Sequence, residues 1–217
     1  MKTLPLALAV ILVSNAPCLS QPRIGEWTRQ DVEDKKPATM SITENGVINL
    51  EARDAVSFFY RPLRPKESTM GLAWRWRTDV VALAAPLNVK GQDDRPLAVH
   101  VIFPAPANGS LFDRLARSIR GTIAGPLFQG RMITYVFGGV HAAGTMLRNP
   151  YLPDDAAILV LRDGMTPQGQ WFEERVNPAA DYVRAFGDSA PAASLLSISS
   201  DTDDRGGTAR ASIEFKN

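Results

Sequence analysis

The chain has 217 residues, of which 24 are basic, 23 are acidic, 2 are histidine and one is cysteine. A net charge of +1 lacks the basic excess that nucleic-acid binding requires, so we expect no nucleic-acid partner. A single cysteine excludes an internal disulfide and a thiolate metal site. The length fits one domain.

The first 20 residues predict a cleaved signal peptide. Lys2 precedes an apolar run from Leu4 to Val13, and small or polar residues follow from Ser14 to Ser20. This is the order of regions in a secretory signal, and the apolar run is shorter than the ~20 residues that span a bilayer. We therefore expect cleavage after Ser20, a periplasmic or secreted protein of residues 21–217, and no transmembrane segment after cleavage.

Two alternatives concern the same segment. The apolar run is retained as an N-terminal anchor in the first, and Cys18 carries a lipid in the second. Pro17 stands where a lipid-attachment motif has a small flexible residue, which disfavours the second alternative. Cleavage after Ser20 removes Cys18 and one basic residue, Lys2, so the mature chain would have equal numbers of acids and bases.

Short segments with period-two alternation predict strands along the remaining chain. Asn45-Gly46 between the first two predicts a hairpin turn. The predicted strands are Thr39–Thr43, Val47–Ala52, Ala55–Tyr60, Met70–Arg77, Leu97–Phe103, Met132–Phe137, Thr145–Arg148, Ala156–Leu161, Gln170–Arg175, Ser194–Ser199 and Ala209–Phe215.

Two segments predict helices. Leu111–Thr122 carries an apolar face with arginines around it, and Pro178–Phe186 ends at Gly187, a typical C-cap. We expect the first helix to pack on its own domain, with an anionic membrane or an envelope protein as alternative partners. Strands this short, separated by Pro, Gly and Asp, predict an all-β fold: a two-sheet antiparallel β-sandwich with one or two short helices in its connections.

Several unusual pieces of sequence carry a resemblance to a known family. They are Leu72-Ala73-Trp74-Arg75-Trp76-Arg77, Gln92-Asp93-Asp94, Tyr135-Val136, Asn149-Pro150, Gly169-Gln170-Trp171, Glu173-Glu174-Arg175, Asp181-Tyr182, Ala185-Phe186-Gly187 and Asp201-Thr202-Asp203. From Glu26 to Phe215 the chain resembles the bacterial "domain of unknown function 3047", although Phe137 and Asp204-Arg205 depart from its pattern. The resemblance implies an exported jelly-roll domain similar to galactose-binding and other carbohydrate-binding modules. It implies no activity.

Eight residues are candidates for binding a glycan-like ligand. Aromatic rings offer apolar faces for stacking, while arginines and carboxylates offer directed hydrogen bonds. The competing interpretation places the paired tryptophans in the core, because Leu72 continues their face of the strand. The candidates are Trp74, Arg75, Trp76, Arg77, Asp93, Asp94, Trp171 and Glu173.

An acidic loop near the end of the chain is a candidate metal site. Asp201, Asp203 and Asp204 precede Gly206-Gly207, and oxygen ligands in a flexible loop suit Ca²⁺. The alternative is an ordinary turn whose acids pair with arginines. No other cofactor is expected, and the two histidines, His100 and His141, do not have metal-ligand spacing.

Three functions follow from these patterns. The first is a non-catalytic domain that binds a glycan or serves another envelope component. The second is a polysaccharide hydrolase or lyase that pairs Glu173 or Glu174 with Asp93 or Asp94, which requires the carboxylates to lie ~5–9.5 Å apart. The third is a structural subunit that docks on an envelope protein through residues 111–122.

Overall fold

The computed structural model describes residues 23–81, 84–106 and 125–216, without the side chains of residues 68–70. The predicted signal peptide, residues 1–20, and the predicted helix 111–122 lie outside these ranges. None of the described helices is long and apolar enough to cross a membrane.

The described residues form thirteen strands and two short helices. The strands are β1 (Arg23–Ile24), β2 (Trp27–Asp31), β3 (Thr39–Ile42), β4 (Ile48–Arg53), β5 (Val56–Pro62), β6 (Leu72–Val80), β7 (Arg95–Phe103), β8 (Arg131–Phe137), β9 (Met146–Arg148), β10 (Ala156–Arg162), β11 (Phe172–Val176), β12 (Leu195–Asp201) and β13 (Thr208–Phe215). The helices are α1 (Pro65–Met70) and α2 (Pro178–Phe186), and a single 3₁₀ turn covers Pro126–Phe128.

The strands form two sheets, which confirms the predicted two-sheet β-sandwich. The larger sheet has the order β1-β2-β5-β12-β7-β8-β10-β9, and the smaller sheet has the order β11-β6-β13-β4-β3. One pairing departs from the antiparallel prediction, because β10 runs parallel to β8. The chain leaves β8, forms β9 at the sheet edge and returns antiparallel to β9, so β10 takes the direction of β8.

Local sequence signals explain several connections. The predicted Asn-Gly turn joins β3 to β4, and Gly46 has a φ of 81°, in the left-handed region. Helix α2 is confirmed: Asn177 caps its start by accepting a hydrogen bond from the Ala180 N–H, and Gly187 ends it in the left-handed conformation. The sequence prediction missed β1, β2 and α1.

The hydrophobic core lies between the two sheets and includes Trp74 and Trp76. Their position corrects the prediction that these two residues bind a ligand. Trp74 and Trp76 are both 0 % exposed, and their rings meet edge to face with centroids 5.4 Å apart. Trp74 packs on Tyr135 and Trp76 on Phe137, both from β8 of the opposite sheet. Neither tryptophan offers a face to a ligand, because β6 is an internal strand whose inner side faces the larger sheet.

The outer side of the larger sheet is also largely buried. Alternation along β7 sends Val99 and Val101 into the core and His100 to the outer side, where Thr134 of β8 and Ser199 of β12 are its neighbours. This outer side holds a second set of apolar residues: Val56, Phe58, Ile102, Leu127, Met132 and Ala156. The sheet is therefore covered on both sides over part of its area, and a pocket remains in the outer layer.

Candidate functional site

The pocket on the outer side of the larger sheet has a volume of about 370 Å³. Its wall is apolar and includes Phe58, Phe128, Met132 and Ile158. At one end the lining becomes acidic, with Asp93, Asp201, Asp203 and Asp204. We call this feature the acidic pocket. An apolar wall combined with a few convergent polar groups is typical of small-molecule sites.

His100 forms part of the lining and is held by two hydroxyl groups. Its Nδ1 lies 3.0 Å from Thr134 Oγ1, and its Nε2 lies 2.9 Å from Ser199 Oγ. Burial lowers the pKa of His100 well below its ordinary value, and the charge of Arg95 lowers it further. The ring is therefore neutral at physiological pH, so it adds no positive charge to the pocket.

Arg95, at the start of β7, connects two of the acids. Its Nη1 donates to Asp93 Oδ2 at 2.9 Å and to the Asp93 carbonyl at 2.8 Å, and it lies 3.3 Å from Asp201 Oδ2. Asp201 is directly opposite Arg95 because β12 and β7 are antiparallel neighbours. A buried cation between two buried carboxylates is a structural necessity here, since an unpaired charge at this depth is costly.

The carboxyl group of Asp201 is the most strongly perturbed acid of the pocket. Burial raises its pKa well above the ordinary value; Arg95 opposes this rise and Asp203 adds to it. Burial also raises the pKa of Asp204, with further contributions from Asp203 and Asp93. Asp201 and Asp204 therefore hold protons more strongly than exposed aspartates do.

Asp203 has the opposite behaviour. Burial alone would raise its pKa, but its hydrogen bond with Asp201 and its ion pair with Lys35 hold the pKa below the ordinary value. Lys35 comes from the connection between β2 and β3, and its Nζ also lies 3.8 Å from Asp204 Oδ1. The pKa values of two neighbouring carboxyl groups of the pocket are therefore shifted in opposite directions, that of Asp201 upward and that of Asp203 downward.

Asp94 shapes the loop that follows β12. Its Oδ1 accepts the N–H of Asp204 at 3.1 Å, and its Oδ2 accepts the N–H of Arg205 at 2.9 Å. At the end of the loop, Asp54 Oδ1 accepts the N–H of Gly207 at 2.6 Å. The structure thus brings together all five predicted acids from two distant segments: Asp93, Asp94, Asp201, Asp203 and Asp204.

The other predicted residues lie on the outer side of the smaller sheet, on what we call the arginine face: Arg75, Arg77, Trp171 and Glu173. Trp171 contacts both guanidinium groups, whose carbons lie 4.8 Å (Arg75) and 5.1 Å (Arg77) from its ring centroid. Arg75 Nε is 2.5 Å from Glu214 Oε2, Arg77 Nε is 3.2 Å from Asp79 Oδ1, and Glu173 Oε1 is 2.5 Å from Lys216 Nζ. Each charge on this face has a neighbouring countercharge.

The structure does not bring Glu173 or Glu174 close to Asp93 or Asp94, so the predicted carboxylate pair is not formed. Glu173 points outward from the smaller sheet, whereas Asp93 lies beyond the larger one. Glu174 points inward and accepts hydrogen bonds from Trp76 Nε1 at 3.0 Å and from Arg162 Nε at 2.6 Å. The larger sheet separates Glu174 from the carboxylate of Asp93, which is bound to Arg95 on the far side.

Sequence reasoning missed Lys35, Phe58 and Tyr151 as pocket residues. Lys35 lies in a charged turn with no distinguishing signal. The sequence does contain a signal near Tyr151, because Asn149 before Pro150 is typical of an Asx-turn. In the structure Asn149 Oδ1 accepts the N–H of Tyr151 at 2.9 Å. His100 is buried on the outer side of its sheet.

Comparison with known proteins identifies the family to which the chain belongs. Residues 25–214 match the family of proteins of unknown function DUF3047, and the chain belongs to this family. No curated protein matches it. The chain is also similar in structure to the xyloglucanase domain of NopAA, a type three effector from Sinorhizobium fredii, with 9 % identity, a TM-score of 0.44, and coverage of 89 % of this chain and 94 % of that one.

Two further solved structures have a similar degree of likeness. A cellulase derived from Cel12A of Rhodothermus marinus has 13 % identity and a TM-score of 0.41, covering 88 % of this chain and 93 % of its own. The endo-1,4-β-glucanase CelB2 has 10 % identity and a TM-score of 0.41, covering 89 % and 94 %. These likenesses are too distant to transfer an activity or a binding residue.

Proposed function

We propose that this member of a family without an assigned activity binds a saccharide in the acidic pocket and does not cleave it. The observation that carries the proposal is the pocket itself, which joins an apolar wall to convergent acids within about 370 Å³. A sugar ring presents apolar C–H groups on its faces and hydroxyl donors at its rim. Both halves of the pocket therefore have a complementary part of the same ligand.

The acidic end suits hydroxyl groups. Asp203, whose pKa is held below its ordinary value, accepts hydrogen bonds, whereas Asp201, whose pKa is raised by burial, keeps a proton that it can donate up to a higher pH than an exposed aspartate does. A sugar hydroxyl is both a donor and an acceptor, so it can bond to both acids. Sites that bond to hydroxyls discriminate strongly against ligands that lack them, because their buried polar groups would be left unpaired.

The charge of the pocket selects the type of saccharide. Four lining acids face two lining cations, Lys35 and Arg95, and both cations already have carboxylate partners. A ligand carboxylate or phosphate would meet like charges in a partly buried site, which is costly. We therefore expect neutral saccharides to bind more tightly than uronic acids or phosphorylated sugars.

Two observations support binding outside the cytoplasm and without cleavage. The signal-peptide pattern of residues 1–20 favours export, and an exported protein would meet envelope or extracellular glycans. The predicted hydrolase or lyase mechanism requires a carboxylate of Glu173 or Glu174 beside that of Asp93 or Asp94. Glu173 lies on the opposite face of the sandwich, and the carboxylate of Glu174 is engaged by Trp76 and Arg162.

The test is isothermal titration calorimetry of the purified protein with three tetrasaccharides: cellotetraose, N-acetylchitotetraose and tetragalacturonate. We expect heat from at least one of the two neutral ligands and weaker binding of the acidic one. Asp204→Asn should weaken binding of the neutral ligand by about tenfold to a hundredfold, because a hydrogen bond to a charged group contributes about 1.5–3 kcal/mol.

Arg77→Met, on the arginine face, is the matched control and should bind as the wild type does. No heat with any of the three saccharides, or an equal loss in Asp204→Asn and Arg77→Met, would overturn the proposal. Shorter products in the reaction mixture, detected by mass spectrometry, would replace binding with hydrolysis or lyase activity.

A further inference from the structure

Three carboxylates at the acidic end of the pocket converge on a common point. Asp94, Asp201 and Asp203 each place one oxygen atom within 4.8 Å of the other two. Calcium binds oxygen ligands at about 2.3–2.6 Å, so two ligands on opposite sides of the ion lie up to about 5 Å apart. The spacing of the three carboxylates therefore admits a calcium ion between them.

A second observation comes from the buried environment of Asp201. This residue is only 7 % exposed, lines the pocket, and its Oδ1 accepts no hydrogen bond from the residues that the structure describes. A buried acceptor left without a donor destabilises the folded protein. A cation at the pocket end is a partner that would remove this destabilisation.

We infer that Asp94, Asp201 and Asp203 form a binding site for a divalent cation, with Ca²⁺ as the ion that fits best. This site goes beyond the proposed saccharide binding and does not depend on it. Compared with the sequence prediction, Asp94 replaces Asp204 among the three central ligands, because its carboxylate reaches across to the loop after β12.

Lys35 is the group with which the ion competes. Its ammonium forms an ion pair with Asp203 and lies 3.8 Å from Asp204 Oδ1. The side chain is 39 % exposed, so its long flexible stem can carry the charge back into solvent when the ion binds. The three carboxylates then have a neighbouring ion of charge +2 in place of the Lys35 ammonium, which carries a charge of +1.

The geometry favours Ca²⁺ over Mg²⁺. Calcium accepts six to eight oxygen ligands in flexible arrangements, whereas Mg²⁺ demands near-ideal octahedral geometry at about 2.0–2.1 Å. The three carboxylates come from separate places: the segment before β7, the end of β12 and the loop after it. Pocket water and the neighbouring Asp204 carboxylate can supply the remaining oxygens.

The experiment compares chelator-treated protein with and without CaCl₂, by thermal unfolding and calorimetry, in the absence of any saccharide. At a calcium concentration about 100 times the Kd, we expect Tm to rise by about 5–10 °C. MgCl₂ at the same concentration should give a smaller rise. Asp203→Asn should abolish the calcium effect, whereas Glu44→Gln, in the exposed turn between β3 and β4, should retain it.

Lys35→Met keeps all three carboxylates and covers the case in which Asp203→Asn fails to fold. It should have a lower Tm than wild type after chelation and bind Ca²⁺ at least threefold more tightly, because the competing ammonium is gone. The inference is overturned if neither wild type nor Lys35→Met gives heat or a Tm shift with Ca²⁺. That result would leave Lys35 as the permanent partner of Asp203 and leave the saccharide proposal untouched.

Discussion

The two outer sides of the sandwich carry the same types of residue but differ in how they use them. On the arginine face, Arg75 and Arg77 are 42 % and 35 % exposed, and each has an acid beside it. In the acidic pocket, the Arg95 side chain is 8 % exposed and bridges two carboxylates that are themselves buried. Charges on the first side are solvated, whereas those on the second depend on protein partners.

The difference teaches that residue type alone does not define a site. Aromatic and charged residues alternate on β6, yet its tryptophans fill the core and its arginines form ordinary surface pairs, which contribute little to stability. Asp93, Asp94 and Asp201 of the pocket region are buried, and surroundings of low polarity strengthen each of their electrostatic interactions. Changes at Arg95, His100 and Arg77 test this contrast, in order from the largest expected effect to the smallest.

Arg95→Met should have the largest effect. Removing the guanidinium leaves Asp93 and Asp201 buried without a cation, and breaking a buried ion pair in this way costs about 3–5 kcal/mol. Urea unfolding monitored by tryptophan fluorescence measures the loss. A cost below about 1 kcal/mol would mean that the acidic pocket is as well solvated as the arginine face, and the contrast would fail.

The pH dependence of stability should reveal the buried histidine. The pKa of His100 is lowered in the folded protein from an unfolded value near 6.5, so below that pH the unfolded state binds a proton that the folded state does not. Stability should therefore fall as pH drops below about 6.5, by at most about 1.4 kcal/mol per pH unit from this residue.

His100→Gln removes the titrating group and should make the stability curve flatter between pH 6.5 and 5 than that of wild type. Comparing slopes instead of absolute values separates the proton effect from any change in packing. Parallel curves for the two proteins would show that His100 titrates normally and is accessible to water.

Arg77→Met should have the smallest effect. Its partner Asp79 is 36 % exposed and the pair is in contact with solvent, so the free energy of unfolding should change by less than about 1 kcal/mol. The same urea experiment applies. A loss comparable to that of Arg95→Met would give the arginine face an importance that its exposure does not predict.

Much of the fold follows from the sequence because alternation and turn signals are local. The Asn45-Gly46 turn, the cap at Gly187 and the strand around Trp74 each depend on neighbouring residues. Alternation also places Trp74 and Trp76 on one side of β6, but it does not say whether that side faces the core or solvent. That side faces the core because Tyr135 and Phe137 of β8 pack against the two tryptophans.

The site was predictable only in fragments. The acidic loop after β12 and Asp93-Asp94 before β7 are both visible in the sequence, but they lie about a hundred residues apart. They meet because β12 and β7 are antiparallel neighbours, with Asp201 opposite Arg95. Lys35 arrives from a third segment whose composition is typical of any solvated turn, so no local signal connects it to the acids.

The most direct test of the central claim is a titration of the ¹⁵N-labelled protein with each neutral tetrasaccharide, followed by two-dimensional NMR. We expect the amide signals of Lys35, Tyr151 and Asp204, which line the acidic pocket, to move in a saturable manner. The indole N–H of Trp171 on the arginine face should stay in place. Movement of Trp171 with an unchanged pocket would contradict the account and transfer the binding site to the other side of the sandwich.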